Sequence, residues 1–314
     1  MAVATKDRPY PAIVINPSKF DDLGRVHALI AAVCVELGWA EPLWLETTVS
    51  DSGFGQASEA VESGADVVLA CGGDGTMRFV AQALAGTGVA MGVLPAGTGN
   101  LLARNLDMEL NDLAGATRIA LTGDDRAVDV GRVRVDDALE EEVFLVMAGM
   151  GFDAAIMAGA PAELKARVGP FAYVMAGLRS LHGPRVRISL TIDDEPVLQR
   201  RIRTVVVGNC GKLLGGLVLM PDAEVDDGTL DVVILAPNGI VGWAAVSARV
   251  LTRRRKGHRR VEHWQAQRVT ITAEVAQQAQ FDGDPIGDAR TLRMRVDPGA
   301  LLVRVPAVPG RVEP

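Results

Sequence analysis

The chain has 314 residues, a formal net charge of −7, and 34 glycines against 13 aromatic residues (4 Trp, 2 Tyr and 7 Phe). Charged residues at 23% and apolar ones at 48% describe a folded chain long enough for a large core and exclude a disordered one. Glycine above the ~7% average without a Gly-X-Y period excludes collagen, and the acidic balance excludes bulk nucleic-acid binding on a basic face. The excess of Arg (27) over Lys (5) reads as a codon effect. Cys34, Cys71 and Cys210 lie far apart in apolar runs, which suits buried thiols in a reducing cytosol and neither a disulfide framework nor a zinc site. The first residues lack the apolar stretch of a signal peptide, and no run of about 18 apolar residues spans a membrane; a cytoplasmic protein is expected.

From Pro11 to about Val135, strand-length apolar runs alternate with helix-period segments. Residues 12–16 read as a strand, and 20–39 as a helix with Leu23, Val26, Leu29, Ile30, Val33 and Leu37 at helical spacing. A strand over 42–49, a short helix around Gln56–Glu62, a strand over 66–71, a helix around Met77–Leu84 and a strand over 89–95 follow. Strict alternation of this kind predicts a doubly wound parallel α/β sheet, whose ligands bind at the carboxyl ends of the strands. Beyond Val130 the strands at 185–193, 199–209, 229–237, 267–274 and 291–296 follow one another with few helices, here placed near 161–181 and 239–256. That texture predicts antiparallel pairing in a second, mostly β domain. The division expected is 1–130 and 131–297.

The strongest chemical signal is Gly72-Gly73-Asp74-Gly75-Thr76, placed between a strand and a helix. Its glycines let the backbone turn sharply and bring N–H groups, with the positive end of the helix, against a phosphate. The bare string also serves as a plain strand-to-helix turn. One β/α unit later, Pro95-Ala96-Gly97-Thr98-Gly99-Asn100 offers a hydroxyl and an amide, both able to bind phosphate or ribose oxygens without adding charge. Asn16-Pro17-Ser18-Lys19 closes the first strand, and Thr47-Thr48 closes the second. No Walker A sequence is present. Gly149-Met150-Gly151-Phe152-Asp153-Ala154 imitates a dinucleotide fingerprint but lacks the βαβ context and the distant acid, so the Rossmann reading is rejected. Two further acidic turns, Asp226-Asp227-Gly228 and Asp282-Gly283-Asp284, are ordinary turns in isolation, and beside glycine their carboxylates can also serve the metal and proton needs of phosphoryl transfer.

Taken in order, GGDGT, PxGTxN, GxGFDA, a DDG-x-LDV segment and a late DG-acid turn resemble the diacylglycerol kinase catalytic-domain family over roughly residues 10–305. The resemblance implies an N-terminal α/β domain of NAD-kinase and phosphofructokinase type, a β-rich lipid-substrate domain, and a two-domain α+β chain overall, with 298–314 packing back on the first domain. It implies ATP- and Mg-dependent phosphorylation of a hydroxyl on diacylglycerol or a related lipid. By motif, ATP meets Asn16, Thr48, Gly72, Gly73, Asp74, Gly75, Thr76, Gly97, Thr98 and Asn100. The loop 221–229 resembles the family's Mg²⁺ loop, with Asp227 giving a carboxylate and Glu224 and Thr229 giving backbone carbonyls.

Two departures stand out. Asp284 occupies the place of the family's general-base Glu, one methylene shorter, with Asp74 as the other candidate base. Leu101 replaces an Asp that many relatives carry after the Asn. A soluble NAD-kinase-like enzyme and a nucleotide-binding regulator with lost activity are the alternatives. The basic run Arg253–Arg260 reads either as a solvated helix end or as a contact with anionic lipid at a membrane surface. Peripheral membrane association is therefore expected, nucleic acid is not, and a homodimer is left open.

Overall fold

The computed structural model describes residues 8–151, 185–212, 218–236 and 261–307. The chain divides into two compact units, Met1–Val128 with Gly299–Pro314, and Asp129–Pro298. The helices expected near 161–181 and 239–256, the basic run Arg253–Arg260, and Phe152–Ala154 lie outside the described residues.

The first unit begins with β1 (Pro11–Ile15), every residue of which is buried. A β-branched run buried on both faces is a central strand, and Ile13 and Ile15 each contribute roughly 1.5–3 kcal/mol by burial. α1 (Leu23–Glu36) follows, its N-terminus capped by the Asp22 carboxylate, which accepts from Arg25 N at 2.9 Å. Then come β2 (Leu43–Glu46), α2 (Phe54–Glu62), β3 (Val67–Gly72), α3 (Asp74–Leu84), β4 (Ala90–Pro95), α4 (Leu101–Asn105) and α5 (Leu113–Thr122). β1 pairs in parallel with both β2 and β3, and β3 pairs in parallel with β4. Val303, near the end of the last strand, pairs in parallel with Met91 of β4.

Helices cover both faces of this sheet. Ile30, Val33 and Cys34 of α1 and Ala116, Ala120 and Leu121 of α5 pack with Ile13, Ile15, Leu69, Cys71 and Leu94. On the opposite face, the position of a Cβ at Gly53 would lie 3.2 Å from Val80 of α3 and 3.5 Å from Val14. The doubly wound α/β arrangement read from the alternation is the one observed. Its four parallel strands therefore end, in chain order, at the loops carrying Asn16, Thr48, Gly73 and Gly97.

The second unit is built from antiparallel strands: β5 (Asp124–Val135, shared at its start with the first unit), β6 (Glu142–Phe144), β7 (Met147–Met150), β8 (Val186–Ile192), β9 (Leu198–Ile202), β10 (Thr204–Gly208), β11 (Leu230–Leu235), β12 (Val261–Ala266), β13 (Arg268–Phe281) and the first part of β14 (Asp284–Val305). One arm runs β12-β11-β10-β7-β13, and another runs β9-β8-β13-β14. β13 serves both because Val269–Ala273 pair with β8 while Ala279–Phe281 pair with β7, across an irregularity after Thr272. Ile188, Leu190 and Ile202 of one arm share a core with Val205, Val232, Ile234 and Phe281 of the other.

Two expectations change here. The strand read as continuous over 199–209 breaks at Arg203, where the chain leaves β9 for β10 and Arg203 N donates to Leu235 O. A strand that changes layers must bend, and bending interrupts its ladder. The helix placed around Met77–Leu84 starts earlier, at Asp74, so Asp74, Gly75 and Thr76 form its first turn. Gly149, in the rejected dinucleotide match, sits inside β7 and pairs antiparallel with Val206 and Gln280, which is not a βαβ crossover.

Candidate active site

The site is built on the carboxyl edge of the parallel sheet. Gly73 caps α3 without any side-chain hydrogen bond, so the first turn's N–H groups depend on solvent or an anion, as helix N-termini do. Cys71, two residues before Gly73, is inert: burial pushes its thiol up to about 12, far from a reactive thiolate.

The two glycine loops touch. A Cβ on Gly97 would lie 2.7 Å from the Gly73 Cα, and Ala96 N donates to Gly72 O at 2.8 Å. Only glycine at 97 permits that approach, because the obstacle is backbone and cannot rotate away. Asp74 fastens the pair: its Oδ1 accepts from Leu101 N, the first residue of α4, at 2.5 Å. Asn100, left-handed at φ 48°, turns its amide back on its own loop, accepting from Gly97 N and donating to Gly97 O, each at 2.9 Å. Its role in this structure is to shape the loop. Arg104 Nε donates to Gly99 O at 2.8 Å and pins the same turn. Thr98 is exposed at the tip.

Thr76 departs from its expected role. It is 3% exposed, and its hydroxyl and methyl both lie against the Gly72 backbone. Helical spacing turns it inward, so it packs the loop from beneath and does not offer its hydroxyl to a ligand. Lys19 gains importance: its Cε lies 3.7 Å from where a Cβ of Gly73 would stand, which lays an exposed cation beside the turn. The signal was its place at the end of β1, but a lone lysine has no periodicity to separate it from ordinary surface.

The other strand ends supply polar groups. Asn16 N donates to Cys71 O at 2.9 Å, and the Asn16 side chain accepts from Ser18 N at 3.1 Å and Ser18 Oγ at 2.7 Å. Thr48 is exposed, its hydroxyl accepting from Asp51 N at 3.0 Å, while Asp51 in turn accepts from Gly53 N and Gly55 N. That chain of turns brings Gly53 to 3.6 Å, measured from its Cβ position, of Thr76 O.

In the second unit, Asp282 and Gly283 form the two-residue turn between β13 and β14, both at positive φ (50° and 95°), the geometry of a type I′ hairpin. The two carboxylates of Asp282-Gly283-Asp284 have separate fates. Asp282 is buried and accepts from Leu145 N, Val146 N and Met147 N at 2.8, 2.8 and 2.9 Å. Asp284 is only partly buried at the start of β14.

The loop 221–229 is also organised by carboxylates. Asp227 Oδ1 accepts from Thr229 N and Thr229 Oγ1, both at 2.9 Å. Asp129, 2% exposed, accepts from Gly228 N at 2.6 Å and donates its own N–H to Val225 O. Asp129 was missed in the sequence because it sits mid-strand in an apolar run, where nothing announces a partner 99 residues away. Among the described residues no three His, Cys, Asp or Glu side chains converge as a metal cluster. One carboxylate with backbone carbonyls is a hard-oxygen donor set of the sort Mg²⁺ accepts while keeping waters, so the loop fits that ion.

Comparison with known proteins follows the same division. The diacylglycerol kinase catalytic domain matches residues 30–133, and the YegS C-terminal NAD kinase beta sandwich-like domain matches residues 146–305. A Pseudomonas aeruginosa protein named "Probable lipid kinase YegS-like" is 35% identical over 259 residues, covering 79% of this chain and 80% of its own. A Staphylococcus aureus diacylglycerol kinase is 26% identical over 277 residues, covering 87% and 85%. Two crystal structures share the fold: a diacylglycerol kinase from Bacillus anthracis (TM-score 0.74, 22% identity, 99% of this chain and 100% of that one) and yeast NADH kinase with NADH (TM-score 0.55, 9% identity, 98% and 85%). A chain this similar to a lipid kinase through four-fifths of its length, and matched in turn by both domains, belongs to the diacylglycerol kinase catalytic-domain family.

Proposed function

We propose that this chain is an ATP- and Mg²⁺-dependent lipid kinase that transfers the γ-phosphate to a hydroxyl of diacylglycerol or a related lipid. The observation that carries the reading is the Gly73–Gly97 contact with Lys19 beside it: two side-chain-free loops, a helix N-terminus and one cation on a single sheet edge. That combination suits a polyphosphate and little else. Relatives named as lipid and diacylglycerol kinases support the acceptor.

In this reading Gly72, Gly73 and Gly75 cradle the phosphates, with Lys19 and Thr98 on their oxygens and Asn16 and Thr48 toward the nucleoside. Glu224, Asp227 and Thr229 would hold a Mg²⁺ through hard oxygens, and Asp74 would hold the one that accompanies the triphosphate; bound Mg²⁺ supplies charge neutralisation on phosphate oxygens. Asp284 takes the proton from the lipid hydroxyl as its oxygen bonds to the γ-phosphorus and the bond to the β-phosphate oxygen breaks, releasing ADP. Asp74, whose Oδ1 accepts from Leu101 N, is the alternative base. The test is transfer of radiolabelled γ-phosphate to a lipid panel in mixed micelles, with and without chelator, and with Asp74→Ala as control. Labelling of NAD without detergent moves the assignment to a soluble small-molecule kinase. ATP binding with no acceptor labelled points to a regulator.

A further inference from the structure

On the β8–β9 hairpin, Arg187 stands directly opposite Arg201, and both are exposed. Like charges facing each other across a strand pair destabilise it. Among the described residues neither guanidinium forms an ion pair. The residues of opposite parity, Ile188, Leu190, Ile192 and Ile202, enter the core, so the two arginines share the solvent face of the hairpin. The next pair on that face, Gln199 and Ser189, is joined by a 2.8 Å hydrogen bond.

Neighbouring arginines are already committed and hold the hairpin in place. Arg200 is bidentate to Glu262, Nε donating to Oε1 and Nη2 to Oε2, both at 2.9 Å, and Arg185 donates to Ala236 O at 2.7 Å. The hairpin's acids, Asp193, Asp194 and Glu195, collect at its turn, away from the pair. Among the described residues β9 pairs only with β8, and a charge on such an edge deters aggregation. One charge serves that purpose; a second placed opposite the first adds repulsion that a bound anion would relieve.

We propose that this face of β8–β9, through Arg187 and Arg201, docks the protein on an anionic bilayer. The proposal rests on the lipid-kinase reading, since such an enzyme meets its substrate at a membrane. Guanidinium groups match phosphate oxygens bidentately, and each cation near an anionic lipid surface contributes about 1 kcal/mol.

The experiment is co-sedimentation of the full chain with vesicles of phosphatidylcholine alone or with added phosphatidylglycerol. The wild type is expected to prefer the anionic vesicles and to be released by high salt. Arg187→Gln with Arg201→Gln weakens this binding by about 30-fold. The paired Lys substitutions keep it, and neither pair lowers the melting temperature. A Gln pair that binds like wild type, or a wild type indifferent to phosphatidylglycerol, overturns the docking surface. Phosphorylation of detergent-dispersed diacylglycerol, measured alongside, tests the kinase reading separately: its absence with arginine-dependent vesicle binding intact supports the surface and removes the kinase assignment.

Discussion

The Asp74 carboxylate accepts a hydrogen bond from Leu101 N at 2.5 Å, joining the first turn of α3 to the first residue of α4. One side chain thereby sets the spacing of the two glycine loops. Asp74→Asn keeps an acceptor oxygen in place and removes the charge. Folding should be unchanged by calorimetry, while phosphate transfer falls by roughly 10²-fold or more. Asp74→Ala loses the bond as well and should cost about 1–2 kcal/mol in a denaturant titration.

Gly97→Ala drives a methyl into the Gly73 backbone. The expected cost is about 1–3 kcal/mol, with nucleotide affinity falling further because the loops part where phosphate is held. Gly24→Ala is the control: its Cβ would meet only the Asp22 carboxylate at 3.6 Å, at an exposed position in α1. It should stabilise by roughly 0.5–1 kcal/mol and leave ATP affinity, read by calorimetric titration, unaltered.

Asp282 and Asp284 are two residues apart and should fail in different ways. Asp282→Ala leaves three buried N–H groups without their acceptor, costing about 3 kcal/mol or more. Asp284→Asn should leave the melting curve unchanged and lower turnover by roughly 10²–10⁴-fold. The pair of measurements separates anchor from base.

Burial raises Cys34 from 9.0 to about 11 and Cys71 from 9.0 to about 12. A raised folded value means that the unfolded chain releases these protons first. The stability they contribute is whole below pH 9 and declines as pH rises from 9 toward 12. Cys34→Ala with Cys71→Ala should flatten that alkaline decline in melting temperature, and the wild-type thiols should resist a thiol reagent at pH 8 until the protein unfolds.

Mg²⁺ should raise the melting temperature of the wild type by binding the folded loop. Asp227→Asn keeps an acceptor for Thr229 and should lose that shift.

Local pattern decided a good deal. Alternating strand and helix periods settled the parallel α/β sheet, because a buried β-branched run such as Pro11–Ile15 and an amphipathic run such as Leu23–Glu36 advertise their environments in residue order. The glycine loops were legible for the same reason: they follow strands, and ligands gather there. Tertiary structure alone decided which polar residues hold the scaffold. Thr76 faces inward by helical geometry, Asn100 closes on Gly97, and Asp282 rather than Asp284 is the anchor, since each is fixed by backbone groups that sequence spacing does not identify. Asp129 meeting Gly228, and Arg187 meeting Arg201, depend on strand register. Register is set by the packing of a whole β unit around its core, and no short window of residues contains it.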